Sequence, residues 1–181
     1  MTILAKESER GVQSVPIEQL IDRMERWENY SIAELGPYLK SLEIDEAWID
    51  AHMPDPMPTD AYHRNLIYQG RRFEVVLATW PIGGGTLVHD HGSLSSLGSV
   101  RVLRGDIFNQ VYRLVDRDTV KPVHREVFHT NDIVPVDHGL IHAMGNACQS
   151  VIAMSLHVYF PWIIDVSYWD PETNKRIPTR L

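Results

Sequence analysis

The chain has 181 residues, of which 44% are hydrophobic and 23% are charged, and its formal net charge is −7 at pH 7. This length suits one globular domain, so we expect residues 1–181 to fold as a single unit. The acidic balance and the scattered basic residues argue against nucleic-acid binding. Cys148 is the single cysteine, which excludes an intrachain disulfide and fits a reducing compartment. No apolar run reaches the length of a transmembrane helix, and Met1 to Arg10 has no signal-peptide core, so we expect a cytoplasmic protein that does not bind membranes.

Residues 1–60 are predicted to form a helical N-terminal cap. Between Pro16 and Trp27, apolar residues recur three and four positions apart, as on one face of a helix, at Ile17, Leu20, Ile21 and Met24. Ser31 with Glu34 three positions later predicts a capping box for a second helix. That helix is expected to run to about Leu42, with Gly36-Pro37 as a possible break. Three prolines between residues 52 and 60 indicate an extended linker.

Residues 61–170 have the pattern of an antiparallel β-barrel. Short apolar runs are separated by glycine, proline, asparagine and aspartate, which is typical of all-β sandwiches and barrels. We therefore expect a mainly β protein. The predicted strands are Leu66–Tyr68, Phe73–Trp80, Thr86–His91, Ser99–Leu103, Ile107–Leu114, His124–Phe128, Ile133–Val136 and Val151–Tyr159.

A group of histidines is the strongest functional signal. His89 and His91 lie two positions apart in a predicted strand, so both imidazoles are expected on one face. His142 lies in a second motif, Gly139-x-x-His-x-x-x-Asn146. Three neutral imidazoles without a carboxylate indicate a transition-metal site with positions open to substrate. Such a site keeps more positive charge than one with an acidic ligand, which favours an anionic substrate such as a thiolate.

These two motifs resemble those of the cupin barrels, except that the usual cupin glutamate is absent. Four segments, in this order, further resemble the thiol dioxygenases, the family of cysteine dioxygenase. They are Tyr62-His-Arg-Asn-Leu66, Trp80-Pro-Ile-Gly-Gly-Gly-Thr-Leu-Val-His-Asp-His-Gly92, Val102-Leu-Arg-Gly105, and Ser155-Leu-His-Val-Tyr159 followed by Phe160-Pro161. The resemblance implies a jelly-roll-like cupin barrel.

The resemblance also implies roles for individual residues. Ferrous iron, Fe(II), would be held by His89, His91 and His142. Arg64 would pair with the substrate carboxylate, helped by the Tyr62 hydroxyl. Trp80, counted with these substrate-binding residues, would pack near the relay described next. A relay of Ser155 and His157 would orient the Tyr159 hydroxyl toward the iron. A cis peptide is expected at Phe160-Pro161.

Two of these implications also have support from the residues themselves. Ser155, His157 and Tyr159 alternate along a predicted strand, so they share one face and can form a hydroxyl–imidazole–phenol row. The same pattern also fits a polar strand face turned to solvent. An arginine such as Arg64 presents a planar fork that matches a carboxylate.

The chain departs from the family pattern at two points. Animal members carry a cysteine after the second metal ligand that crosslinks to the tyrosine, whereas Gly98 aligns there in this chain. We therefore expect no thioether, since Cys148 lies elsewhere. The stretch Ser93–Gly98 is two residues longer than in typical members, so it leaves the identity of the thiol open.

The implied activity is oxidation of a small carboxylated thiol to a sulfinic acid by both atoms of O2. L-Cysteine is the first expectation, with 3-mercaptopropionate and mercaptosuccinate as alternatives. Arg64 argues against 3-mercaptopropionate, because members that prefer it tend to have glutamine there. A cupin isomerase or lyase using zinc, manganese or nickel, and a non-catalytic cupin that binds a small molecule, are the other interpretations. Family members are often monomers, which makes a monomer the expectation.

Overall fold

The computed structural model describes residues 15–29, 31–59, 61–94 and 96–178. These residues form three helices followed by ten strands. The helices are α1 (Val15–Arg26), α2 (Ile32–Ser41) and α3 (Glu46–Ala51). The strands are β1 (His63–Gln69), β2 (Glu74–Trp80), β3 (Val88–His89), β4 (Leu97–Arg104), β5 (Ile107–Leu114), β6 (Val120–Phe128), β7 (Ile133–Val136), β8 (Ile141–Asn146), β9 (Ala153–Phe160) and β10 (Tyr168–Trp169).

The segment Met1 to Arg10, used above for the signal-peptide prediction, lies outside the described residues. Among the described residues, no helix combines the length and the hydrophobicity needed to cross a bilayer.

The first helix follows the predicted periodicity. Leu20 and Met24 of α1 are fully buried, and Ile17 is 5% exposed. Burial of this apolar stripe, rather than local propensity alone, stabilises so short a helix.

Two details of the second helix differ from expectation. The helix α2 continues through Pro37 instead of breaking there, because Leu35 and Leu39 on its buried face pack into the core and outweigh the lost hydrogen bond. The capping box is also wrong. Ser31 occupies the N-cap position, but its side chain makes no capping hydrogen bond.

The short helix α3 was not predicted. Its N-cap is Asp45, whose carboxylate accepts a hydrogen bond from the backbone N–H of Trp48 at 2.7 Å. The described part of the proline-rich segment that follows, residues 52–59, contains no helix or strand, as expected of a linker.

The strands form two five-stranded antiparallel sheets, which confirms the predicted mainly β architecture. The first sheet has the order β1-β2-β9-β4-β7 and the second the order β10-β3-β8-β5-β6. Every pair of neighbouring strands is antiparallel. Strands β8 and β10 were not predicted, and β1 and β6 are longer than expected.

The helices cover one face of the first sheet, so its other face is the one available to line an interior. Val75 and Leu77 of β2 join the cluster that contains the helical residues. Ala78 and Trp80 of the same strand join a second cluster with residues of β5 and β8 from the other sheet. Consequently every residue of β2 is buried, and its alternate side chains enter two different cores.

Candidate metal centre and active-site cavity

Three histidines converge inside the barrel. His89 at the end of β3 lies opposite His142 of β8 in the strand register. The ring centroid of His142 lies 4.8 Å from those of both His89 and His91. One ring nitrogen from each of the three lies within 4.8 Å of the others, so the cluster could hold a metal ion.

His91 reaches this cluster in a different way from the one predicted. The predicted strand Thr86–His91 is wrong, because β3 ends at His89. Beyond it, Asp90 Oδ1 accepts hydrogen bonds from the backbone N–H groups of Gly92 and Ser167, each at 2.9 Å. Gly92 adopts a φ of 79°, which favours glycine. The turn tied by Asp90, rather than strand alternation, therefore aims His91 at the other two histidines.

Hydrogen bonds orient two of the imidazole rings. The Nδ1–H of His89 donates to the carbonyl oxygen of Leu87 at 2.9 Å, and that of His142 donates to Asn109 Oδ1 at 2.7 Å. In each ring the lone pair is then on Nε2, which is the tautomer that a metal requires. Within the described chain, His142 Nε2 is buried without a hydrogen-bond partner, and the ring nitrogens of His91 also lack a well-formed one.

The surroundings keep these imidazoles neutral. Burial, with the neighbouring His89, lowers the pKa of His91 to about 3. Burial also lowers the pKa of His142 well below its ordinary value, and it lowers the pKa of His89. Neutral imidazoles with available lone pairs, two of them with buried nitrogens that lack a partner in the described chain, suit a metal cation, so the residues fit such a group.

A chain of hydrogen bonds runs beside the histidines. Ser155, His157 and Tyr159 alternate along β9 with their side chains toward the interior. Ser155 Oγ lies 2.7 Å from His157 Nε2, and His157 Nδ1 lies 2.7 Å from the Tyr159 hydroxyl. The Trp80 indole N–H donates to Ser155 Oγ at 2.8 Å. The row therefore faces the barrel interior, rather than solvent, and begins at Trp80.

The chemistry of these groups fixes one bond of the chain and permits a direction for the others. An indole N–H can only donate, so Ser155 Oγ accepts that bond and can offer its own proton to His157 Nε2. In that arrangement the Nδ1–H of His157 donates to the Tyr159 oxygen, which leaves the phenol proton free to point elsewhere. Burial lowers the pKa of His157 to about 3 and raises the pKa of Tyr159, so the imidazole is neutral and the phenol stays protonated at neutral pH.

His89 and His142, with His157 and Tyr159 of this row, line one cavity of ≈ 630 Å³. Tyr62, Trp80 and Arg64 also line it, and the Tyr62 ring stacks on Trp80 with 5.1 Å between ring centroids. The Tyr159 ring lies 5.5 Å from that of His91. All nine residues singled out in the sequence therefore lie in or beside one region of the barrel, with His91 at its edge.

Gly98 lies directly across the sheet from Tyr159. The two residues are paired in the register of β4 and β9, and a Cβ built on Gly98 would lie 2.9 Å from Tyr159 Cδ1. Cys148 is elsewhere, where its sulfur accepts a hydrogen bond from the backbone of Asp106. The phenol ring is thus packed against a position without a side chain.

Two polar residues of this region were missed in the sequence. Asn109 is the partner of His142, and Glu74 forms an ion pair with Arg64 in which Oε1 and Nη2 are 2.7 Å apart. Each had a signal that could have been used. Asn109 stands at an inward position between apolar residues of a strand, and Glu74 is a lone charge within an apolar run.

The two sheets contribute different parts of the site. His89 and His142, with Asn109, belong to strands of the second sheet, and His91 follows β3 directly. Trp80, Arg64 and the row on β9 belong to the first sheet. The cavity lies where the inner faces of the two sheets meet.

The architecture has counterparts among solved structures. A Klebsiella pneumoniae subsp. pneumoniae protein with a double-stranded β-helix domain aligns with a TM-score of 0.50 and 12% identity, over 80% of this chain and 93% of that one. The TT1209 protein of Thermus thermophilus aligns with a TM-score of 0.49 and 18% identity, over 66% of this chain and 98% of that one. The Schizosaccharomyces pombe Cnp3 cupin domain gives a TM-score of 0.45 and 13% identity, over 55% of this chain and 61% of that one, so this chain spans about three fifths of the Cnp3 structure. At such identities the similarity concerns the fold alone, and the Klebsiella pneumoniae match indicates a double-stranded β-helix.

A match to a sequence family is more specific. The family described as "Cysteine dioxygenase type I" matches residues 44–171, which is more than half of the chain. The chain therefore belongs to the cysteine dioxygenase type I family. Membership of that family and the cluster of three histidines fit a thiol dioxygenase with a metal cofactor.

Proposed function

We propose that the protein is an iron(II)-dependent dioxygenase that converts L-cysteine to its sulfinic acid, using both atoms of O2. The observation that carries this proposal is the shared cavity. Of the three neutral, lone-pair-bearing imidazoles, those of His89 and His142 line the same ≈ 630 Å³ space as an arginine and a buried, protonated phenol, and His91 joins their cluster from the edge. A small thiol with one carboxylate has groups complementary to each of these.

His89, His91 and His142 are the residues that would hold the metal. Iron bound there would supply the activation of O2 and would favour the thiolate form of the substrate. The Leu87 carbonyl and Asn109 support this assignment, because each fixes the ring that it contacts in the metal-binding tautomer.

In this proposal Arg64 binds the substrate carboxylate. Its guanidinium can donate two parallel hydrogen bonds to a carboxylate while its other N–H groups hold Glu74. Tyr62, stacked on Trp80, adds a hydroxyl that lines the same end of the cavity. Fixing the carboxylate orients the sulfur toward the histidines and lowers the entropic cost of the reaction.

Tyr159 is assigned as the proton donor of the site. In this assignment its hydroxyl oxygen accepts the hydrogen bond that joins it to His157, so the phenol proton is free to stabilise negative charge that develops on the reacting groups. The Ser155 hydroxyl, held by Trp80, would donate to His157 Nε2 and so keep His157 in the tautomer that this assignment requires. In the absence of a crosslink, this chain of hydrogen bonds and the surrounding packing are what orient the phenol.

Oxygen uptake with a thiol panel tests the proposal. The protein is loaded with Fe(II), its iron content is measured, and it is mixed with L-cysteine, 3-mercaptopropionate, mercaptosuccinate or cysteamine. We expect uptake with L-cysteine, a product heavier by two oxygen atoms in mass spectrometry, and no uptake with cysteamine, which lacks a carboxylate. Iron-loaded protein that consumes no oxygen with any thiol would contradict the proposal and direct attention to isomerase, lyase or binding functions.

A further inference from the structure

The Arg64–Glu74 ion pair gives one end of the cavity an unusual charge arrangement. Arg64 Nη2 donates to Glu74 Oε1 at 2.7 Å. The glutamate side chain is 3% exposed, whereas the arginine side chain is 39% exposed. A carboxylate is therefore buried next to the guanidinium that is expected to receive another carboxylate.

The fold fixes the glutamate in this position. Glu74 lies opposite Tyr159 in the register of β2 and β9, and its side chain lies on the same strand face as Ala78 and Trp80. Its Oε1 also accepts a hydrogen bond from the backbone N–H of Ile163 at 3.4 Å, in the segment that follows β9. Glu74 thus contacts two walls of the cavity, and it cannot turn away to solvent without leaving both.

The net charge of the cavity lining depends on which other side chains line it. Among the described residues that line the cavity, Arg64 and Glu74 are the two that carry a formal charge when the histidines are neutral. Their charges cancel, so the protein around the thiol site has no net charge there. A first carboxylate can still bind Arg64 through directed hydrogen bonds, but a second one would approach the Glu74 carboxylate, and the described lining offers it no second cationic side chain.

We propose that Glu74 is a specificity-determining residue, whose charge makes the site select thiols with one carboxylate and disfavour thiols with two. This inference rests on the proposed function, because it assumes that thiols bind in this cavity. In this inference the Glu74 carboxylate repels the second carboxylate of a thiol, in addition to accepting the hydrogen bond from Arg64.

The test compares 3-mercaptopropionate with mercaptosuccinate, which differ by one carboxylate and both lack an amine. Their dissociation constants are measured by calorimetry on Fe(II)-loaded protein without oxygen, for the natural chain and for Glu74→Gln. Glutamine keeps the length and an oxygen acceptor for Arg64 but removes the charge. We expect the preference for 3-mercaptopropionate over mercaptosuccinate to fall by about tenfold, which corresponds to ~1.4 kcal/mol.

Two further variants complete the design. Glu46→Gln, on α3, removes the same charge from a surface ion pair with Arg104 of β4, and the ratio of the two constants should not change. Glu74→Met, uncharged and of similar length, provides the second measurement if Glu74→Gln does not fold. Direct replacement of Arg64 is less informative, because it would leave a buried carboxylate without its cation and destabilise the protein as well.

The outcomes separate the two proposals. If the natural protein binds either thiol and neutral variants at position 74 leave the ratio unchanged, the role of Glu74 is wrong while the proposed function stands. Equal weakening of both thiols would also overturn it, because Glu74 would then only hold Arg64. A natural protein that binds L-cysteine but neither of these two thiols would overturn the role of Glu74 alone. If it binds none of the three, the proposed function fails, and the role of Glu74 fails with it.

Discussion

Asn109 contacts the histidine cluster, and the effect of this contact on metal affinity can be measured separately from catalysis. Its side-chain oxygen accepts a hydrogen bond from His142 Nδ1–H at 2.7 Å, and its side chain is buried on β5. We expect Asn109→Ala to weaken metal binding by about 10- to 100-fold, because the ring loses the partner that fixes its tautomer. Competition with a chelator of known affinity measures this change.

The adjacent residue Gln110 supplies a matched control. Its side chain points toward β6 and donates to the carbonyl of His124 at 2.8 Å. Gln110→Ala should therefore leave metal affinity unchanged. Equal metal affinity for Asn109→Ala and the natural chain would show that His142 is oriented without the amide.

Removing the Tyr159 hydroxyl group tests whether this residue is the proton donor of the site. Tyr159→Phe keeps the ring but removes the group bonded to His157 Nδ1. We expect kcat to fall by at least about 100-fold, the lower range for a positioned proton donor, while KM for L-cysteine changes little. Steady-state oxygen uptake gives both constants.

Tyr38 is a suitable comparison for this variant. Its hydroxyl donates to the Gln19 carbonyl within the helical layer, away from the cavity. Tyr38→Phe should retain full kcat. If Tyr159→Phe also retains it, the phenol has no part in the reaction.

At the scale of elements, the helical layer should contribute stability without contributing chemistry. Leu39 of α2 is fully buried in the cluster that joins the helices to the first sheet. Leu39→Ala should lower the free energy of unfolding by about 2–5 kcal/mol, since it removes apolar contacts and leaves a cavity. Urea denaturation measures the loss.

The control for Leu39→Ala is a substitution of an exposed valine on the edge strand β6. Val123 is 59% exposed, so Val123→Ala should change stability by less than about 0.5 kcal/mol. Both variants should bind one equivalent of metal per chain in the folded state. Loss of metal binding in folded Leu39→Ala would show that the helices also shape the metal centre.

The elements also show what periodicity can and cannot predict. Helix α1 and strand β5 were predicted because the spacing of their apolar residues matches the element that forms. Strand β8 was missed because all six of its residues are buried, so no alternation is visible, and it contains Ala143 and Gly145. Its strand structure depends on hydrogen bonding to β3 and β5 on either side.

The site was predicted more fully than the strands that carry it. The histidine motifs and the alternating row on β9 depend on local spacing, which a sequence displays directly. The ion pair between Arg64 and Glu74 depends on the register of β1 and β2, and β2 is buried on both faces. When both faces of a strand are buried, the sequence pattern does not show which side chains point into the cavity. The ion pair could therefore not be predicted from the sequence.

For the whole molecule, buried neutral histidines predict sensitivity to acid. His91 and His157 have folded pKa values of about 3, below the ordinary value of 6.5 for an unfolded chain. The unfolded state therefore binds more protons between these values, and stability present above about pH 6.5 is lost as the pH falls. Each such histidine removes up to about 1.4 kcal/mol per pH unit.

Urea unfolding of metal-free protein followed by circular dichroism between pH 8 and pH 4 measures this effect. We expect a nearly constant free energy of unfolding above pH 7 and a steep decline below pH 6. Metal binding should move the decline to lower pH, because a metal ion competes with protons for the same nitrogens. A flat profile from pH 7 to pH 4.5 would contradict the neutral, buried state of these rings.

The division of the site between the two sheets has a consequence for how such a protein can diversify. In the proposed function, the strands that carry His89 and His142 need not change when a new thiol is to be recognised, because Arg64 and Glu74 belong to the opposite sheet. Substitutions on β1 and β2 could then alter selectivity while the histidine cluster stays the same. The residues proposed to select the substrate and those proposed to hold the metal can therefore change independently.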